Sequence, residues 1–382
     1  MLLSFTILPK ITMTTSITST CACGNFNFKV DYPNEQLPID RGLCLCDSCR
    51  RLTGSAGISY IIVPPARTID ISKFNLTKHV TSDRLTRYFC PTCSCHVLVF
   101  VARNQCWYLA TGPWDRTEGL INWLGSKWVE DTLDGGISIW LNDIVRPDGK
   151  KKPLQRWLLY DWEGGALVPD HTPLDALPEG KKVEPNLDKL EAQCHCGGVQ
   201  FYITRPNEES KKVKSPFPDL MVPYHSHASE NPENETWWLR DNNRKYLAGL
   251  CTCKSCRTTS GFEIQPWAFV PKCNIFWKDG FPMDFGKGTL RRYESSKDIW
   301  REFCSVCGSI CFWHCKENRP DLIDVSVGLL DPKEGARVEN WLEWWTERVS
   351  FREMAVSTSL VNSLEEGLKK WGDKRRNQDV QH

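Results

Sequence analysis

The sequence predicts a mainly β chain built from two tandem units and closed by a short C-terminal helix. Three observations carry this. The stretch Cys44-Leu45-Cys46-Asp47-Ser48-Cys49 returns with the same C-x-C-x-x-C spacing as Cys251-Thr252-Cys253-Lys254-Ser255-Cys256. Cysteine pairs around each copy lead into residues that alternate apolar and polar, the period of a strand. Leu360, Leu364, Leu368 and Trp371 recur at helical spacing after a Ser/Thr-rich start.

The 382 residues leave room for two or three domains, and 41% hydrophobic residues with 17 Trp supply cores for them. The Trp residues read as core rather than as a platform for stacking bases. With 48 Lys and Arg against 47 Asp and Glu, the net charge of +1 gives no global field toward a membrane surface and argues against nucleic acid as a partner. No run approaches the ~18 apolar residues that cross a bilayer. Most of the 19 cysteines sit in C-x-C and C-x-x-C pairs on a long chain, which points to metal binding in a reducing cytosol, with the nucleus as the alternative compartment.

In chain order, residues 1–16 read as a disordered leader. Cys21-Ala22-Cys23-Gly24 precedes the alternating strand Asn25 to Val30. The first claw, Cys44 to Cys49, is followed by the small-residue loop Gly54-Ser55-Ala56-Gly57 and a strand over Ile58 to Val63. Phe89-Cys90-Pro91-Thr92-Cys93 is a tight knuckle, with strands at Val97 to Val101 and Trp107 to Ala110. This first unit spans 17–145. Proline-rich residues 146–190 form a linker, in which Trp157 to Trp162 are able to dock on a domain.

The second unit, 191–355, replays the order. Cys194-His195-Cys196-Gly197 leads into Val199 to Ile203, the second claw follows, and Phe303-Cys304-Ser305-Val306-Cys307 is the second knuckle. The second unit alone carries a Pro-, Asn- and Lys-rich insert at 206–245, read as a surface excursion. Residues 356–382 give the helix and a basic tail.

Each unit thus offers seven cysteines, which split by spacing as four plus three. Structural zinc takes four ligands, whereas catalytic zinc takes three and keeps an open position. The outer pairs make the closed sites, Cys21, Cys23, Cys90 and Cys93 in one unit and Cys194, Cys196, Cys304 and Cys307 in the other. The claws make the open sites, Cys44, Cys46 and Cys49, and Cys251, Cys253 and Cys256. That gives two zinc ions per unit and four per chain. Cys95, Cys106, Cys273, Cys311 and Cys315 read as core or surface thiols rather than ligands.

Both units resemble the glutathione-dependent formaldehyde-activating enzyme family, which also contains centromere protein V. The resemblance rests on C-x-C-G at Cys21 and Cys194, on both claws with Arg50 and Gly54 or Arg257 and Gly261 behind them, and on F-C-x-x-C at Phe89 and Phe303. It implies a small antiparallel-β zinc-binding domain of Mss4-like (β-tent) type, with zinc at the outer pairs and a substrate-facing zinc at the claw. It also implies a carbon–sulfur lyase reaction of the S-(hydroxymethyl)glutathione synthase type, joining the thiol of glutathione to formaldehyde. Glutathione is then the co-substrate and the partners are a small thiol and an aldehyde. Arg50, Arg51 and Arg257 are candidates for its carboxylates, with Gly54 and Gly261 shaping the loop; plain surface arginines are the competing reading. A non-catalytic tandem module that binds protein or chromatin is the alternative function.

Two departures from the family pattern stand out. Ser94 replaces the glycine expected after the first knuckle, where the second has Gly308. Phe262-Glu263 replaces the small residues that follow Gly54, which favours the first claw as the active one.

Overall fold

The computed structural model describes residues 13–64, 69–146, 149–160, 165–168, 188–331, 333 and 335–379. The first half runs through β1 (Thr14–Thr20), β2 (Asn27–Pro33), β3 (Ile39–Cys44), α1 (Asp47–Thr53), β4 (Tyr60–Ile62), β5 (Thr77–Val80), β6 (Leu85–Phe89), β7 (His96–Val101), β8 (Cys106–Ala110) and β9 (Ile121–Lys127). Its main sheet has the order β4-β8-β7-β6-β5 and is antiparallel throughout. β1 and β2 form an antiparallel pair, and β9 runs parallel to β3. That parallel pairing brings Lys127 beside Cys44 and so sets the back of the first claw.

Three short strands, β10 (Asp143–Val145), β11 (Lys151–Pro153) and β12 (Gln155–Arg156), lead onward. The second half comprises β13 (Lys189–Gln193), β14 (Gln200–Thr204), β15 (Leu239–Arg240), β16 (Lys245–Cys251), α2 (Lys254–Ser260), β17 (Gln265–Pro271), β18 (Ile275–Trp277), β19 (Leu290–Ser296), β20 (Ile299–Cys304), β21 (Ile310–Cys315), β22 (Arg319–Ser326) and β23 (Leu342–Trp344). Its main sheet follows the order β15-β16-β17-β22-β21-β20-β19, with β23 parallel to β16. The halves share even their irregularities. A bulge precedes Phe89 opposite His96, and the same bulge precedes Phe303 opposite Ile310. Each bulge stands at the entry to a C-x-x-C knuckle and re-aims the cysteines there.

Several expectations are corrected. The leader does not extend to residue 16, because Thr14 to Ser16 already belong to β1, where Ile17 and Ser19 point inward and the β-branched threonines suit the pleat; residues 1–12 lie outside the described residues. The linker does not begin at 146. β12 pairs parallel with β9, and Trp157 is buried, with its N–H donating to Ser126 O at 2.8 Å. The basic tail is helical: α3 (Thr358–Asp379) continues past Lys374, and Arg376 pairs with Asp373. The residues after each claw are a short helix, α1 or α2, ended by Gly54 or Gly261 at φ 70° and 87°.

α3 docks through Leu360, Leu364 and Leu368, all buried, and Trp371 meets Trp140 edge-on at 5.6 Å. Trp140 also contacts Trp344, so the helix clasps both halves. The halves themselves pack crosswise. Ala22 N–H donates to Thr258 O at 3.0 Å and His195 N–H to Arg51 O at 3.2 Å, the same bond made in both directions. Gly328 N–H donates to Gly54 O at 3.2 Å, and Gly112 N–H to Gly261 O at 3.1 Å. A Cβ on Gly54 would overlap Ile310 O, and one on Gly261 would overlap His96 O. The glycines therefore serve both the left-handed helix cap and the close approach of the halves.

Glu263 lies in this interface. Thr117 Oγ1 donates to its Oε2 at 3.2 Å, Oε1 has no hydrogen-bond partner among the described residues, and burial pushes its carboxyl up to about 7.

Gly54→Ala is expected to lower stability by about 2 kcal/mol or more, through clash and backbone strain together, read as a fall in thermal midpoint. For Glu263, the folded state holds a proton between about pH 4.5 and 7 that the unfolded chain releases. Stability should therefore fall as pH rises through that window and level off above it. Glu263→Gln should flatten this slope and raise stability at pH 8 by about 1–3 kcal/mol, measured by denaturant unfolding at pH 6, 7 and 8.

Candidate metal centres

The outer pairs, far apart in sequence, converge. Cys21 Sγ lies 3.6 Å from Cys23 Sγ, and Cys23 Sγ lies 3.5 Å from Cys90 Sγ. In the second half Cys194 to Cys196 is 3.6 Å and Cys196 to Cys304 is 3.5 Å. All four sulfurs of each set lie within 4.8 Å of one another. Tetrahedral zinc with bonds of about 2.3 Å sets sulfurs about 3.8 Å apart, so the sets fit that ion. Backbone N–H groups already point at the sulfurs, Phe26 N to Cys21 and Val199 N to Cys194, both at 3.3 Å. Such donors suit thiolates, which four neutral thiols in contact would not need.

The knuckle glycine question resolves locally. Ser94 takes φ 66° where Gly308 has 76°. Its hydroxyl donates to Cys93 O and, across the interface, lies 2.9 Å from Thr259 O, which offsets the strain of a left-handed non-glycine residue. Gly308 has a second reason to be glycine, because a Cβ there would press on the Phe89 ring and His96.

The claws repeat one another closely. Cys46 and Cys253 each cap the following helix at φ −60° and ψ 154°, accepting from the N–H of Cys49 at 3.4 Å and of Cys256 at 3.3 Å. Cys44 Sγ stands 3.5 Å from both Cys46 Sγ and Cys49 Sγ. Each claw gathers three sulfurs, and no fourth Cys, His, Asp or Glu donor joins them among the described residues. Cys44 and Cys46 are half-buried, whereas Cys251, Cys253 and Cys256 keep only 7%, 9% and 4% of their surface. Among the described residues the other five cysteines join no cluster: Cys95, Cys311 and Cys315 are buried, Cys106 is half-buried and Cys273 is exposed.

The arginines and glycines expected to meet glutathione have structural work instead. Arg50 is buried, with Nε on Leu45 O and Nη2 on Asp131 O, both at 3.1 Å. Arg257 Nη1 reaches across to Gly112 O at 2.7 Å and Trp114 O at 2.9 Å. Arg51 pairs with Asp47 at 2.9 Å. Gly54 and Gly261 cap helices at the interface.

Two arginines that spacing did not single out do reach the claws. Arg87 Nη2 donates to Cys49 Sγ at 3.4 Å and Nη1 to the Tyr60 hydroxyl at 2.9 Å. Arg301 Nη2 donates to Cys256 Sγ at 3.5 Å and to Ser255 Oγ at 2.9 Å. Both are almost wholly buried. Their signal was present in the sequence as R-x-F-C-x-x-C at Arg87 and Arg301, two strand residues ahead of each knuckle phenylalanine. Hydrogen bonds from Cys44 and Cys46, then the Arg87 charge, hold the Cys49 thiol well below its usual range.

The second half also contributes to the first claw. His195, between two outer-site cysteines of the second half, has Nε2 3.4 Å from Ser48 Oγ and Nδ1 3.1 Å from His79 Nε2. Burial first, then the Arg87 charge, pushes nearby His96 down to about 3, so it stays neutral.

The model of the family described as glutathione-dependent formaldehyde-activating enzyme matches residues 16–129 and again 240–348. The chain belongs to that family. It carries the family's domain twice, and the two matched segments hold both claws and both knuckles. Among curated proteins and among solved structures, none matches.

Arg87→Met removes the charge that offsets three sulfurs, and about tenfold weaker metal binding at the first claw is expected, with Arg87→Lys recovering part of it. Chelator competition on the purified variants measures this.

Proposed function

We propose that this chain is a zinc-dependent carbon–sulfur lyase that joins glutathione to formaldehyde or a related aldehyde. The observation that carries this reading is the claw: three sulfurs in metal-binding contact, no fourth protein donor among the described residues, and a buried guanidinium bonded to one sulfur. A zinc ion held there supplies an open coordination position and favours a bound thiol as thiolate, whose free pKa of about 8.5 otherwise leaves it mostly protonated at neutral pH.

The protein's own residues account for the rest. Arg87 and Arg301 offset the negative charge of the sulfur sets. The claw helices fix the three sulfurs through Cys46 and Cys253. At the first claw, half-buried Cys44 and Cys46 leave a face for the thiol, with Ser48 and His195 beside it. In the reaction the thiol proton leaves to solvent, the sulfur lone pair forms the C–S bond, and the carbonyl π pair moves to oxygen. The oxygen then takes a proton from water, so nothing is oxidised or reduced.

Elemental analysis of wild type and of a Cys46→Ser/Cys253→Ser variant, with glutathione titrated into each, tests this. Near four zinc ions per chain, matching the four sulfur sets, should fall toward two while the fold persists and glutathione binding is lost. Four zinc ions with no response to glutathione would leave the chain a tandem binding module.

A further inference from the structure

One hydrogen bond behind the first claw has no counterpart behind the second. In the first half Tyr60 gives Arg87 Nη1 an acceptor at 2.9 Å. The residue at the same distance behind the second claw is Trp267, which has no acceptor to offer. Nε has no partner among the described residues in either arginine, but Arg301, 2% exposed, accordingly has Nη1 without a partner as well, on the same guanidinium whose Nη2 holds Cys256 Sγ. A buried guanidinium with open N–H groups is costly unless something accepts from it.

The surroundings of this claw are apolar. Its cysteines cluster with Trp267, Phe303 and Ile310, and half-buried Tyr293, Trp313 and Phe351 rim them. The corresponding residues in the first half include His96 in place of Ile310 and His79 in place of Tyr293. Phe351 is held at φ 50°, a strained conformation for a bulky residue. The insert fixes it there. Asp219 Oδ2 accepts from Phe351 N at 2.8 Å and from Ser350 Oγ at 2.9 Å, and Tyr224 packs on the Phe351 ring at 6.5 Å. An insert carried by the second half alone therefore builds part of the aromatic rim.

We propose that the second claw is a substrate site for aldehydes bearing an apolar substituent, with Arg301 donating to the carbonyl oxygen as it becomes an alkoxide. This rests on the thiol-addition reading above and names the substrate class of one of its sites. It assigns chemistry to the claw that the loop residues alone disfavoured. Sulfur adds to the aldehyde carbon, the C=O π pair moves to oxygen, Arg301 stabilises that oxygen without giving up a proton, and water protonates it. A preorganised donor in apolar surroundings acts strongly on charge that develops only in the transition state. The aromatic rim selects the substituent.

The test uses the full chain carrying Cys46→Ser, loaded with Co²⁺ so that claw spectra report occupancy, and three stable ligands. S-hexanoylglutathione has an oxygen on the carbon bound to sulfur, S-hexylglutathione lacks it, and S-acetylglutathione lacks the apolar chain. The second claw should bind the hexanoyl compound about tenfold more tightly than the hexyl one. Arg301→Met should abolish that ratio. Trp267→Tyr should abolish it as well, by giving Nη1 the hydroxyl that Tyr60 gives Arg87, and it keeps the test available if the arginine variant fails to fold. Phe351→Ala should instead erase the preference for hexanoyl over acetyl. Binding with ratios unmoved by all three changes overturns this inference and leaves the lyase reading standing. No binding of any glutathione derivative to a cobalt-loaded claw overturns both.

Discussion

Clustered sulfur needs compensating charge, and most of the local structure around the claws meets that need. Three or four thiolates within bonding reach of one another repel strongly in a buried setting unless a cation and hydrogen-bond donors offset them. Backbone N–H groups supply part of this at Cys21, Cys46, Cys194 and Cys253. At the claws a buried arginine supplies the rest, delivered from the strand that leads into the knuckle. One hairpin therefore does two jobs: its end supplies sulfurs to the outer set while its middle reaches back to the claw. That coupling explains why claw and knuckle recur together in both halves.

The crosswise packing adds a second layer. Each C-x-C turn of an outer site sits on the claw helix of the opposite half, through Ala22 on Thr258 and His195 on Arg51. The glycines that cap those helices let the backbones approach closely enough for it. The halves are thus not independent beads on a linker. Each outer set packs on the claw helix of the other half, and His195 of the second outer set reaches the first claw. Because the residue between the two cysteines is His195 in one turn and Ala22 in the other, duplication with divergence has given the claws different neighbours. The first has a polar edge of Ser48, His195 and His79; the second has an aromatic rim and an arginine whose Nη1 lacks the acceptor that Tyr60 gives Arg87.

The sequence by itself determined the sulfur chemistry and its duplication. Metal-ligand spacing is local: C-x-C, C-x-x-C and C-x-C-x-x-C each fix sulfurs within one turn, and repetition in the same order made the four-plus-three division legible without coordinates. Strand alternation around the knuckles and the leucine spacing of α3 were legible for the same reason. Only the tertiary structure decided what the charged residues do. Arg50 and Arg257, adjacent to the claws in sequence, turn away into the fold, while Arg87 and Arg301, distant in sequence, arrive at the sulfurs through strand pairing. It also decided that Thr14 to Ser16 form a strand, since a polar stretch becomes one only when a partner such as β2 is there to pair with it. Interactions set by spacing within a turn can be read along the chain; those set by pairing across sheets and across the two halves appear only once the chain is folded.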